Sequence, residues 1–374
     1  MTRRLVEIDS LSAFDDHLAG RVRMNGWVVQ SLDLTDRSEV LLANDPRGAV
    51  FLGCHFAPAV ETELRHRGAL LFPRLPHLPF DPYRPALYDA AELYGAGSYA
   101  DSPDAAIYSW SRVPVPASLA HTLAATLHDH AVTDALDDAT AGTDPDRFVG
   151  VMGGHALRRG EPAYAAAAEL GARLTAAGRT VLTGGGPGAM EAANLGAYLS
   201  PWPEALGPAL ELLAAAPTYH DGMDCWLQQA LAVLRRWPPA EAGASLSIPT
   251  WFYGHEPTNV FATGIAKYFA NALSEDTLLH RCRGGIVYLP GQAGTVQEIF
   301  QAVTENFYAA DASLVAPMVL VGVEHWTSTY PAWPLLQRLG AGRPMGAVVH
   351  CVDTVDEAAS LLSEPHAPAP AATA

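Results

Sequence analysis

The sequence predicts an α/β protein built on an open, mainly parallel sheet flanked by helices, with an N-terminal α+β extension. Three observations carry this. From Phe148 onward, short apolar runs alternate with amphipathic stretches. Two glycine-rich turns each lead from such a run into a helical pattern. An Asp- and Thr-rich stretch at 137–146 separates this regular half from a proline-rich, irregular one.

Taken in order, residues 1–145 form the extension. Segments 27–30 and 49–52 read as short strands, the proline-rich run 72–80 as turns, and 118–139 has a helical period. No internal repeat is visible. Residues 146–364 form the regular domain. Its strands are expected at 148–152, 179–183, 247–253, 285–289, 317–323 and 347–351, and its helices at 162–177, 189–198 and 223–234, with another from Thr258. Residues 365–374, mostly Ala and Pro, read as a disordered tail. Ligands of such sheets bind outside the carboxyl ends of the strands, where the turns at Gly153, Gly184, Gly254 and Gly291 fall.

The first glycine turn holds Gly184, Gly185, Gly186 and Gly188; the second holds Gly291, Gly294 and Thr295. Glycine lets a backbone approach an anion closely, the first turn of a helix offers unpaired N–H groups, and the helix dipole favours negative charge there. Paired turns of this kind suggest a small phosphate-bearing ligand. A loose G-x-G-x-x-A match at Gly184, Gly186 and Ala189 raises a nicotinamide-binding alternative. The acid expected about 20 residues later at a strand end is missing, however, because Glu204 lies in a Pro-bounded stretch.

With 374 residues and 49% apolar content, the chain can bury a large core, and its length suggests two domains. A formal charge of −17 argues against a nucleic-acid polymer as partner, since that role needs a basic surface. Cys54, Cys225, Cys282 and Cys351 are widely spaced, so neither a disulfide framework nor a metal site is expected, and the compartment reads as reducing. The N-terminus lacks an apolar signal core and no run is long enough to span a bilayer, so a cytoplasmic protein without membrane association is expected. Among 23 basic side chains Lys267 is the single lysine, which suggests a site where an ammonium is specifically needed; chance survival on a solvated face is the alternative.

Within 148–307 the residues resemble the Lonely Guy family of Rossmann-like phosphoribohydrolases. The stretch Gly184 to Met190 approximates that family's first glycine turn. Pro290, Gly291, Gly294, Thr295 and Glu298 match PGGxGTxxE, with Gln292 in place of the second glycine. The resemblance implies hydrolysis of the N-glycosidic bond of nucleoside 5'-monophosphates to free base and ribose 5-phosphate, without a cofactor or metal, in a homodimer or higher homo-oligomer. The family's Arg-Lys pair on the helix before the second motif is absent. Lys267, the only Lys or Arg between Pro257 and His280, is the candidate for its electrostatic role, and Thr263, Lys267 and Asn271 would share one face of the helix expected from Thr258.

Cleavage of a ribosyl C–N bond develops oxocarbenium character, which a carboxylate can stabilise or relieve by activating water. Glu298, one helical turn past Thr295, is the catalytic candidate, with a capping role as the alternative. Glu191 is a weaker candidate, equally suited to compensating a helix dipole. His155, His255 and Asn271 are candidates for contacting the base. A non-catalytic nucleotide sensor or carrier on the same scaffold remains the rival reading, because the missing Arg-Lys pair could leave binding without turnover.

Overall fold

In the N-terminal half, short apolar runs become strands, the last three of them following glycines. These are β1 (Val6–Ile8), β2 (Trp27–Gln30), β3 (Val50–Leu52) and β4 (Leu70–Phe72), all parallel and ordered β1-β2-β3-β4. Val6 faces Trp27, Val28 faces Val50 and Val50 faces Leu70, so the chain returns to the sheet at intervals of 21, 22 and 20 residues. Gly26, Gly48 and Gly68 precede the last three strands and are laced by Gly26 N–H to Gly48 O (3.0 Å) and Gly48 N–H to Gly68 O (3.2 Å). This is a structural repeat that the sequence conceals, because strands of three or four residues joined by linkers of differing shape leave almost no common residues. Phe14, Trp27, Val29, Phe51 and Leu64 form its core.

The computed structural model describes residues 5–18, 22–95, 97–112, 119–253 and 256–363. Gly254, His255 and the Ala- and Pro-rich tail lie outside them. By contact density the chain divides into two units, Met1–Leu87 with Arg112–Ala139, and Tyr88–Ser111 with Thr140–Ala374. The segment Tyr88–Ser111 therefore belongs with the second unit, where Tyr88 exchanges backbone hydrogen bonds with Ile265 (3.0 and 2.8 Å) and Tyr94 Oη donates to Thr258 O (2.6 Å).

The second unit is a Rossmann-like, all-parallel sheet of seven strands: β5 (Phe148–Met152), β6 (Thr180–Thr183), β7 (Ser245–Ser247), β8 (Gly264–Ile265), β9 (Ile286–Tyr288), β10 (Met318–Val321) and β11 (Val349–Val352). Their order is β11-β10-β9-β5-β6-β7-β8. The chain builds outward from β5 through β6 to β8, then returns to the other side of β5 with β9. The reversal puts a crevice beside β5, with the turn after β6 on one flank and the turn after β9 on the other. β5, β9 and β10 are buried at every position, as sheets covered on both faces require. No helix among the described residues is long and apolar enough to cross a membrane.

The helices Pro162–Ala176 and Ala189–Tyr198 cross through two glycines. A Cβ on Gly196 would lie 1.7 Å from Ala168 O, and one on Gly171 2.0 Å from Ala193 O. Backbone against backbone leaves no side chain to yield, so Gly196→Ala is expected to cost about 3 kcal/mol and lower Tm by roughly 6–12 °C. Thermal unfolding followed by circular dichroism checks this, and an unchanged Tm would refute the close crossing.

Two expected elements differ. The strand expected at 247–253 forms instead at Ser245–Ser247, ending before Pro249, which has no N–H for a ladder. The helix from Thr258 does not form; the chain instead runs without regular structure into β8 and becomes helical only at Asn271–Arg281. Residues 257–268 are buried except Thr263, so the apolar pattern has no exposed face and cannot separate helix from strand. Thr263 closes the β7–β8 ladder: its N–H donates to Ser245 O (3.0 Å) and its Oγ1 accepts from Ser245 N–H (3.1 Å).

Candidate functional site

Both glycine turns meet at the end of β5. Gly154 N–H donates to Pro290 O in the second turn (3.0 Å), and Gly154 O accepts from Ala189 N–H, the first residue of the helix after the first turn (3.2 Å). Gly188 makes this junction possible. It adopts φ +73°, and a Cβ there would lie 2.5 Å from Gly154 O. Above the junction opens a cavity of about 1290 Å³, to which Gly184, Gly185, Gly186, Gly291, Gly294 and Thr295 all contribute. Gly188 faces a smaller neighbouring cavity of about 230 Å³ instead.

The first turn is braced from beneath by a buried polar network. Thr183 Oγ1 donates to Asn194 Oδ1 (2.6 Å) and accepts from Gly185 N–H (3.0 Å). Asn194 Nδ2 donates to Ser245 Oγ (3.2 Å), and Asn259 Nδ2 donates to Asn194 Oδ1 (3.1 Å) and Gly186 O (3.2 Å). Asn259 thus fixes the turn's shape. The second turn is braced by His325, whose Nε2 lies 2.9 Å from Gly291 O. His325 was invisible in sequence because it comes from a distant irregular helix, His325–Thr329.

Each turn delivers a helix start: Ala189–Tyr198 and Ala293–Tyr308, neither with a side-chain cap. The two differ in charge. The first carries Glu191 in its opening turn; the second carries no acid there. The uncompensated N–H groups of Ala293, Gly294 and Thr295 therefore give the cavity its positive end.

Glu298 lies in the second turn of that helix and faces the cavity. Its position past the first turn removes it from the capping role, and no hydrogen bond reaches its carboxyl group among the described residues. Burial, reinforced by the charge of Glu275, pushes its pKa up to about 8. Glu275, on the helix Asn271–Arg281, is by contrast fully engaged. It accepts from Tyr253 Oη (2.9 Å), Asn271 Nδ2 (2.9 Å) and Gln297 Nε2 (2.6 Å). Asn271 also lines the cavity, and its Oδ1 is buried without a partner. Glu275 was missed because the helix was expected to start at Thr258; a start at Asn271 places it four residues on, along the same face.

Two candidates are placed elsewhere. Lys267 does not line the cavity. It is 1% exposed, with Nζ 2.6 Å from Asp104 Oδ1 and 4.9 Å from the centre of the Trp251 ring. Burial pushes its ammonium below the usual lysine range, and Asp104 opposes that. Its expected phosphate role gives way to a structural ion pair, for the reason that removed the Thr258 helix: the strand-like path turns residue 267 into the core. Glu191 is likewise fully buried. It is paired with Arg159, whose Nε donates to Glu191 Oε2 (3.1 Å) and whose guanidinium stacks on Trp226 at 4.1 Å. That pairing accounts for its charge without any ligand. His155 is exposed at the cavity rim, 3.8 Å from Glu256 Oε1, and His255 lies outside the described residues.

No arginine or lysine lines the larger cavity among the described residues, whereas Glu169, Glu256, Glu275, Glu298, Asp353 and Asp356 do. An anion bound there would be held by backbone N–H groups and a helix dipole alone.

No protein-family model matches the chain, and neither does any curated protein. Among solved structures, a molybdenum cofactor carrier protein from Chlamydomonas reinhardtii is similar at 18% identity and a TM-score of 0.36, over 58% of this chain and 98% of that one. A second structure of the Moco carrier protein from the same organism gives 20% identity and 0.30, over 57% and 93%. The structural-genomics protein TM1055 gives 16% identity and 0.33, over 57% and 96%. At these identities and scores the likeness carries neither an activity nor a ligand to this chain.

Proposed function

We propose that this protein hydrolyses the N-glycosidic bond of nucleoside 5'-monophosphates to free base and ribose 5-phosphate. The observation that carries the reading is the placement of Glu298 in the same cavity as the uncapped N-terminus of Ala293–Tyr308. One end is suited to a phosphate and a carboxyl group stands a helical turn deeper. In this reading the glycine turns hold phosphate and ribose, which pins C1' near Glu298. As the C1'–N bond breaks, its electron pair leaves with the base and positive charge develops on the sugar. The Glu275 carboxylate lowers the cost of that charge, and water adds to C1'. The cavity volume of about 1290 Å³ leaves room for a whole nucleotide.

Incubation of the purified protein with AMP, GMP, CMP, UMP and a cytokinin riboside monophosphate, with chromatographic detection of free base, tests the reading. Base release from at least one supports it. A second reading, nucleotide binding without turnover, rests on the lack of any arginine or lysine in the lining among the described residues, which leaves no basic side chain to assist the chemistry; tight binding with no base released across the panel would establish it over the first.

Gly294 offers a sharper probe of where phosphate binds. A Cβ there meets nothing within 4 Å, so Gly294→Ala removes no packing and favours the helix by about 0.5–1 kcal/mol. The expected outcome is an unchanged or higher Tm with weaker monophosphate binding and little change for the nucleoside, read by calorimetric titration. Equal affinity of variant and parent for the monophosphate would remove phosphate from this turn.

A further inference from the structure

We propose that Glu275 is a positioning residue that keeps Glu298 protonated, so that Glu298 delivers its proton to the departing base. The inference rests on the nucleosidase reading above and assigns the two carboxyl groups different tasks. Its basis is an asymmetry in hydrogen bonding. Tyr253, Asn271 and Gln297 all point donors at Glu275, at 2.9, 2.9 and 2.6 Å, and an acceptor engaged three times is held in one orientation. Glu298 has no donor among the described residues, and the residue beside it, Gln297, spends its amide on Glu275. Two carboxyl groups facing one cavity cannot both ionise cheaply, and the one without donors keeps the proton.

The groups that bear on Glu298 agree with this. Glu275 approaches from the helix Asn271–Arg281, Tyr253 from the segment before it, Tyr288 from β9 and Cys282 from the end of the helix. Burial pushes Tyr253, Tyr288 and the Cys282 thiol up, so all three stay neutral and none offers a compensating positive charge. Glu275 is therefore the dominant partner of Glu298. The reaction balances. The Glu298 proton passes to a base nitrogen as the C1'–N bond breaks, water bonds to C1', and the proton that water loses restores the Glu298 acid.

The test is Glu275→Gln, read twice. Carboxyl ¹³C NMR of the ligand-free protein follows the titration of Glu298, assigned by its loss in Glu298→Gln. In the parent the midpoint is expected near pH 8, and in Glu275→Gln it is expected to fall by about one unit or more. The alkaline limb of the pH profile for base release is expected to fall with it, a shift that a merely structural role for Glu275 would not produce. Gln297→Ala, which withdraws one donor from Glu275, is expected to shift the midpoint the same way by less, and serves if Glu275→Gln does not fold. A midpoint unmoved in a folded variant, or a Glu298 that titrates as an ordinary carboxylate in the parent, overturns the inference even if base is released. A shifted midpoint with no base released from any nucleotide sinks the nucleosidase reading instead, and with it the proton transfer.

Discussion

Glu298→Gln is expected to reduce base release by about 10²–10⁴-fold while leaving nucleotide affinity nearly unchanged, because the amide keeps the shape of the acid and cannot surrender a proton. The same variant should be more stable than the parent at alkaline pH. The group's usual value is 4.5 and its folded value about 8, so between these the native state binds more protons than the unfolded one. Stability of the parent therefore falls as pH rises from about 4.5 to about 8. The Tm advantage of Glu298→Gln should be small near pH 4.5 and grow up to about pH 8. Scanning calorimetry across that range checks the sign. A variant less stable at pH 8 than at pH 5, relative to the parent, would show that Glu298 is ionised in the native protein. Unchanged turnover would remove it from the chemistry.

Asp104→Ala carries the largest expected loss of stability. Asp104 is 1% exposed and accepts from Lys267 Nζ (2.6 Å), Trp251 Nε1 (3.0 Å) and Tyr99 Oη (3.4 Å). Removing it strands an ammonium in the core beside two unsatisfied donors. Breaking one side of a buried pair costs about 3–5 kcal/mol, and a Tm lowered by roughly 10 °C or more follows. Pairing Asp104→Leu with Lys267→Met replaces the ions with apolar groups of similar size and should recover part of the loss. In that folded double variant monophosphate affinity should be unchanged, since Lys267 does not face the cavity. Selective loss of monophosphate over nucleoside binding would return Lys267 to the phosphate.

These two residues mark what could be read from sequence. Glu298 was legible because its motif is local: a glycine turn, a helix start and a carboxylate one turn later are fixed by spacing along a single helix. The same locality made the helix at Ala189–Tyr198 and the strands β5, β6, β9, β10 and β11 legible, since each has a pattern of its own bounded by turns. Lys267 misled because its surroundings are buried on all sides. Where polar and apolar faces do not alternate, periodicity carries no signal, and a residue singled out by composition can as easily belong to the core. Glu275 and His325 were hidden for a related reason: the value of each lies in what it meets across space, Gln297 and Tyr253 for one and Gly291 for the other.

By itself, then, the chain determined its class, the two anion-suited turns and the carboxylate beside one of them, because backbone geometry and helix polarity follow from residue type over a few positions. Tertiary structure alone decided that both turns flank β5 over one cavity, that Glu191 and Lys267 are neutralised by buried partners, and that Glu298 shares its cavity with Glu275. Charge pairing and desolvation depend on which residues distant in sequence are brought within a few ångströms, and no spacing along the chain encodes that.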